Sequence, residues 1–230
     1  VVASMALSVA LTVMVGSFRD SVSRWLDVLL PAPLYLRGPA GAGPFFDPAR
    51  LAALAALPGV ARIDGLRVLP LQLDPARPPV ALIARPLREA ARELPLLAPP
   101  LPAPAGAVPV YASEAFVALY GAVPGQPLPR LAQALGGRTE FFVAGVWRDY
   151  ARQQGSLVLP AQALERLTGE TRFDDLAVHL QPGADADEVA AALRQALADA
   201  VEVTSAEAVR AQSLRIFDRS FAVTYWLQAV

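Results

Sequence analysis

The rhythm of apolar positions changes three times along this chain. Val1 to Phe18 (VVASMALSVALTVMVGSF) and Ser220 to Val230 (SFAVTYWLQAV) carry no charged residue. Crossing a bilayer takes roughly 20 predominantly apolar residues, so both ends are expected to be parts of membrane helices with a polar domain held between them. From Phe18 the pattern turns amphipathic. Phe18, Val22, Trp25, Leu26 and Leu29 recur at spacings of three and four, while Arg19, Asp20, Ser23, Arg24 and Asp27 fill the other side. Pro31 and Pro33 end that helix. At the far end Leu214, Phe217 and Phe221 share one side of a helix, opposed by Arg215 and Arg219. Phe18, Val22, Trp25, Leu29, Leu214, Phe217 and Phe221 are therefore expected to form a membrane-proximal helix pair, a stalk.

Between the ends, strand and helix signals alternate. Leu34–Leu36 reads as a strand, followed by a loop with Gly38, Gly41 and Gly43. Asp47 caps a helix that has Pro48 at its first position and stops at Pro58-Gly59. Val60 to Leu73 is extended, with Ile63, Leu69 and Leu71 facing inward, and Val80 to Ala84 is a further strand. Leu94 to Pro109 holds prolines at 95, 99, 100, 102, 104 and 109 and is expected to be a linker. Then come a strand at Val110-Tyr111, a helix capped by Ser113 and closed by Gly121, and strands at Phe141–Trp147 and Ser156–Leu159. A helix runs to about Leu167. Asp174 to Gln181 is a strand with Leu176, Val178 and Leu180 on one face. Asp185 and Glu188 open a helix lined by Val189, Leu193 and Leu197, and Thr204 with Glu207 is expected to cap the last helix.

Strand, capped helix and strand thus occur near 34–73 and again near 174–203. A sheet built from the two, with an inserted smaller module, makes the fold α+β with a mixed sheet. The expected division is 1–30 membrane helix end and stalk, 31–93 first half of the larger part, 94–155 linker and inserted module, 156–212 second half, and 213–230 stalk and next membrane helix.

Composition removes many chemistries. All 20 basic residues are Arg, and Cys is absent. Without Lys there is no phosphate loop of the GxxxxGK type and no Schiff base. Without Cys there is no thiol nucleophile and no thiolate metal site. The net charge of -1, with no basic run, excludes a nucleic-acid footprint. His179, the one imidazole, falls opposite Leu176 and Val178 and reads as a half-exposed strand residue with no partner in view. Asp174-Asp175 precede a strand and Asp185-x-Asp187 open a helix, so both acidic pairs read as structural. No catalytic, cofactor-binding or metal-binding residue is expected.

The segments ALSVALTVMVGSFRDSVSRWL, VYASEAFVALYGAVPG, FFVAGVWRDYARQQG and FDRSFAVTYWL, in that order, resemble the extracytoplasmic domain of an FtsX/MacB-type ABC transporter permease, of the large two-module kind linked to lipid or lipoprotein handling. Gly125-Gln126-Pro127-Leu128 departs from the Gly-Asp and clear strand of that pattern. The resemblance implies a porter-like α/β part with a smaller β-rich insertion, lying outside the cytoplasmic membrane. It also implies a separate cytoplasmic ABC ATPase subunit as partner, whose work is relayed outward through the stalk (mechanotransmission) to a lipid, lipoprotein or envelope-protein substrate. Orientation rests on this likeness alone, since long domains cross regardless of charge. Two other readings follow from the residues. One is an envelope adaptor recruiting a soluble partner such as a cell-wall hydrolase, for which Leu94–Leu101 could supply an apolar patch. The other is a tethered hydrolase using Asp174, Asp175 or Asp185.

Overall fold

The computed structural model of the protein describes residues 2–39, 43, 45–197 and 201–228. Val1, Gly41 and Val230, named above, lie outside them, as do the side chains of Met5, Ser220 and Leu227. In chain order the elements are α1 (Val2–Leu29), β1 (Leu34–Arg37), α2 (Pro48–Ala55), β2 (Val60–Leu71), β3 (Val80–Arg85), α3 (Ala90–Glu93), β4 (Val108–Ser113), α4 (Glu114–Tyr120), α5 (Pro129–Ala134), β5 (Phe141–Trp147), β6 (Ser156–Pro160), α6 (Ala161–Thr168), β7 (Asp175–Leu180), α7 (Ala186–Leu197), β8 (Glu202–Ser205) and α8 (Ala206–Gln228).

Helix starts follow from capping chemistry. Asp47 accepts a 2.8 Å bond from the Arg50 amide with Pro48 behind it. Ser113 accepts from the Phe116 amide at 3.2 Å, and Gly121 closes α4 with φ of 67°. Asp185 accepts from the Asp187 and Glu188 amides. The last helix departs from expectation by one residue. Thr204 stays in β8 opposite Tyr35, where a β-branched side chain fits the pleat, and Ser205 caps α8 by accepting from Ala208 at 3.1 Å.

The eight strands form one mixed sheet in the order β5-β4-β6-β3-β2-β7-β1-β8. The two units of the internal echo do build one sheet, and β1-α2-β2 and β7-α7-β8 interleave in it as four antiparallel strands, a split βαβ arrangement. β3–β6 and β4–β5 are parallel. Strand β2 joins the two halves: residues 60–66 pair with β7, and residues 67–71 pair with β3.

One face of the sheet holds two adjoining cores. Leu34, Leu36, Leu176 and Val178 pack under α2 and α7 through Leu54 and Leu193. Leu82, Val110, Phe141 and Leu157 pack under α4, α5 and α6 through Phe116, Leu131 and Leu164. Ile63, Leu69 and Leu71 are half-buried on this face. Burying each such Leu fully stabilises the fold by about 2 kcal/mol. Because β3 and β6 pack with β4 and β5, this second core draws on residues from Leu69 to Leu167. The pairing that decides this, Ala81 with Ser156, links residues far apart in sequence.

The proline-rich stretch also differs from a free linker. Leu97 and Leu101 donate their amides to the Val146 and Ala144 carbonyls of β5, and Arg148 donates to the Pro95 carbonyl. Gly125, Gln126 and Leu128 bond to Val143 and Phe141 farther along the same strand. Two segments thus strap the outer edge of β5. Proline lacks the amide that would offer a further strand a bond, so it terminates the sheet.

Candidate functional site

The second face of the sheet lies beneath the helix pair α1 and α8. On β1, Leu34 and Leu36 point into the core, which turns Tyr35 and Arg37 to this second face. The same alternation puts Ala81, Ile83 and Arg85 of β3 and Asp175, Ala177 and His179 of β7 there.

Helices α1 and α8 pack side by side. Val15, Val22 and Leu26 are buried, each at or below 8% exposure. Ring centroids lie 5.3 Å apart for Phe18–Phe217 and 4.6 Å for Phe217–Phe221. Leu214 is half-buried on the same side of α8, and Arg215 and Arg219 are exposed. Arg19 pairs with Asp218 at 3.1 Å; both are about half exposed, so the pair adds little stability. Arg210 fixes the base of the pair, reaching Asp27 at 3.2 Å and donating to the Leu30 carbonyl.

The pair grips both halves of the sheet. One attachment is covalent and short: α8 follows β8 without a loop, and the Ala206 amide bonds to the Pro33 carbonyl. The other runs through the turn between β5 and β6. Trp25 donates its indole N–H to the Arg148 carbonyl at 2.8 Å. Tyr150 packs edge-on against both Trp25 and Phe18, each at 5.5 Å. Leu29 adds to the apolar layer of Ile83, Leu94 and Trp147. All seven expected stalk positions lie on these two helices. Arg210, Arg148 and Tyr150 are partners that residue spacing within α1 gives no means of finding.

A polar knot holds that turn in shape. The Asp149 side chain is fully buried. It accepts bonds from the Ala151 amide at 3.0 Å and the Ser156 hydroxyl at 2.7 Å, and pairs with Arg152 at 3.3 Å. The Ser113 hydroxyl accepts from the Ser156 amide at 2.9 Å, tying the turn to the cap of α4. Gly155 has φ of 91°, and a Cβ there would come within 2.9 Å of Phe116 Cα.

The remaining titratable groups of the second face form a cluster around Asp64. It accepts from Arg88 at 2.8 Å, from Arg62 at 3.1 Å, and faces His179 Nε2 at 3.1 Å. His179 therefore has a carboxylate partner across the strands, contrary to the sequence expectation, because the β2–β7 register sets Arg62 opposite it with Asp64 two positions on. Burial pushes Asp64 up, but its guanidinium bonds outweigh this and hold it below the usual carboxylate range. Burial and the nearby Arg62 push His179 below 6.5. A depressed histidine contributes stability that is complete above pH 6.5 and is lost as pH falls below it. Thermal melts at pH 7.5 and 5.5 are expected to differ more for the native chain than for His179→Gln, with Arg62, Arg88 and Asp64 left in place.

The acidic residues weighed as catalysts each make contacts within the frame. Asp174 accepts from Arg67 and from the Val68 amide, both at 2.6 Å, at the point where β2 passes between the two half-sheets. Asp175 pairs with Arg37 at 3.5 Å, and burial raises its carboxyl. Asp185 caps α7. Among the described residues no group of three or more His, Cys, Asp or Glu side chains is placed to hold a metal ion.

The architecture matches solved structures. The periplasmic region of MacB from Actinobacillus actinomycetemcomitans superposes with a TM-score of 0.55 over 81% of this chain and 94% of that one, at 13% identity. This chain has the MacB periplasmic fold. The extracellular domain of the noncanonic ABC-type transporter YknZ from Gram-positive bacteria aligns over 75% of this chain and 99% of that one, at 15% identity and a TM-score of 0.49. No family profile and no curated protein matches the sequence.

Proposed function

We propose that this chain is a non-catalytic, extracytoplasmic domain of an ABC transporter permease, in the cytoplasmic membrane, carried on a pair of stalk helices. The observation that carries the reading is the outer surface of α1. Val9 and Val13 are each 61% exposed and Met14 is 54% exposed, with Ala6, Ala10 and Gly16 also open and no charge among them. A helix that is apolar on every side needs hydrocarbon around it. Among the described residues no helix is long and apolar enough to cross a membrane; in this reading α1 and α8 are the outer, extracytoplasmic parts of spans. ATP is hydrolysed on a separate cytoplasmic subunit, and tilting of α1 against α8 reaches the larger half-sheet through β8 and the smaller through Trp25 and the 148–150 turn. The work so delivered is export or release of a lipid or lipoprotein.

The absence of native cysteine makes the test direct. In proteoliposomes, an environment-sensitive dye on Val13→Cys is expected to emit as in hydrocarbon and to be quenched by spin-labelled lipid. Ala105→Cys, exposed on the inserted module, is expected to react with a membrane-impermeant maleimide from outside intact cells. Water-like emission at position 13, or no labelling at 105 in intact cells, overturns the reading. Leu97, Leu101 and Val123, between 42% and 55% exposed, favour a second role as a docking module for an envelope protein.

A further inference from the structure

Between the helix pair and the second face of the sheet lies a cavity of about 580 Å³. That is within the roughly 300–1,000 Å³ typical of ligand sites. Trp25, Leu29, Leu66, Ile83, Leu94 and Trp147 give it apolar walls. Glu202, Gln212 and Ile216, all exposed, mark its rim.

One charged wall residue is out of balance. Arg37 is paired with Asp175 and Arg152 with Asp149. Arg85, delivered to the cavity by the alternation of β3, makes no hydrogen bond or ion pair with any described residue. Its nearest carboxylates are already engaged: Asp64 by Arg62, Arg88 and His179, and Glu93 by the Arg88 amide. Burial lowers the Arg85 pKa, although a guanidinium stays charged at any ordinary pH. Arg85 is half-buried at the cavity wall, and a partly desolvated guanidinium with no ion pair of its own gains from an anion placed against it. The bidentate fork of arginine suits carboxylate and phosphate oxygens alike.

From the lone cation and the apolar walls together, we infer that the cavity binds a single-chain anionic amphiphile, its head on Arg85 and its chain against Trp25, Leu29, Ile83 and Leu94. At about 30 Å³ per water-sized group, the space holds about 20 such groups, enough for a medium-length acyl chain with its head. A neutral lipid would leave Arg85 unmatched, and a small inorganic anion would leave the walls empty. The inference stands independently of the transporter reading, because it concerns binding to this domain alone.

Two tryptophans in the wall supply the readout. The full chain, with Trp226→Phe to remove the third indole, is held in uncharged detergent and titrated with ω-bromododecanoate, ω-bromododecanol and a bromoacyl lysophosphatidic acid. Saturable quenching of Trp25 and Trp147 by the anionic probes is expected, with the alcohol at least tenfold weaker. Arg85→Gln should raise the half-saturating concentration of the acid about tenfold and leave the alcohol unchanged; Arg85→Lys should retain the preference for the acid and guards against misfolding. Saturation by the fatty acid alone assigns a free acid as ligand, and saturation by the lysolipid as well assigns a lipid. Equal quenching by acid and alcohol, or an acid affinity that Arg85→Gln does not move in a folded protein, overturns the inference.

Discussion

Asp149→Ala is expected to lower the unfolding free energy by about 3 kcal/mol and to detach the β5–β6 turn from α1. The carboxylate is fully buried and answers three donors: the Ala151 amide, the Ser156 hydroxyl and Arg152. Alanine leaves those donors without an acceptor, and each buried unsatisfied group costs about 1–3 kcal/mol. The half-exposed Arg152 regains water, so the sum stays near the value for a single neutral network. Asp149→Asn keeps an acceptor oxygen and should cost about 1 kcal/mol less. The local effect separates this change from a general loss of stability. Tyr150 and the Arg148 carbonyl hold Trp25, so loosening the turn should red-shift the emission of Trp25 in a chain lacking Trp147 and Trp226, at temperatures well below the melt. Trp25→Phe, which keeps a ring and removes the 2.8 Å bond, should cost only about 1 kcal/mol. An unshifted emission in folded Asp149→Ala would show that the turn does not depend on its buried carboxylate.

Where the sequence was legible, a short periodic signal coincided with one buried face. Leu176 and Val178 alternate over a core, so the β7 strand and the outward side of His179 could be read directly. Asp47-Pro48 and Asp185 name their helices because caps are local chemistry. The spacing of Phe18, Val22 and Trp25 marked the side of α1 that packs, for the same reason. What escaped depends on partners distant in the chain. Proline at 95, 99 and 100 announces missing donors, and only the position of β5 turns that into an edge strap. β3 and β6 belong to the smaller core because Ala81 meets Ser156. Arg85 ends an ordinary buried run, VALIAR; its isolation arises because Arg62, Arg88 and His179 converge on Asp64 from elsewhere. The Ser205 cap was missed by one residue since Thr204 satisfies the same local pattern and is drawn into the ladder with Tyr35.

Gly65→Ala is expected to destabilise the fold by about 2–3 kcal/mol, the usual scale for forcing a methyl group into a filled site. Gly65 sits in β2 at the junction of the two half-sheets, opposite Leu176. A Cβ at this position would run into Phe173 Cγ and come within 2.5 and 2.6 Å of its Cδ carbons. The ring cannot simply swing away. Phe173 exchanges both backbone bonds with Phe46, at 3.0 and 2.9 Å, and its neighbour Asp174 clamps Arg67 and the Val68 amide. Displacing it would strain both loops that return the chain to the larger half. Relief should therefore come from shortening the ring rather than moving it: Phe173→Leu alone loses packing, yet combined with Gly65→Ala it should recover at least 1 kcal/mol relative to the sum of the two single changes. Denaturant unfolding of the four proteins measures that coupling. If the double variant is as unstable as the sum, the ring is not what excludes a side chain at position 65, and the junction owes its glycine to the backbone of β2 instead.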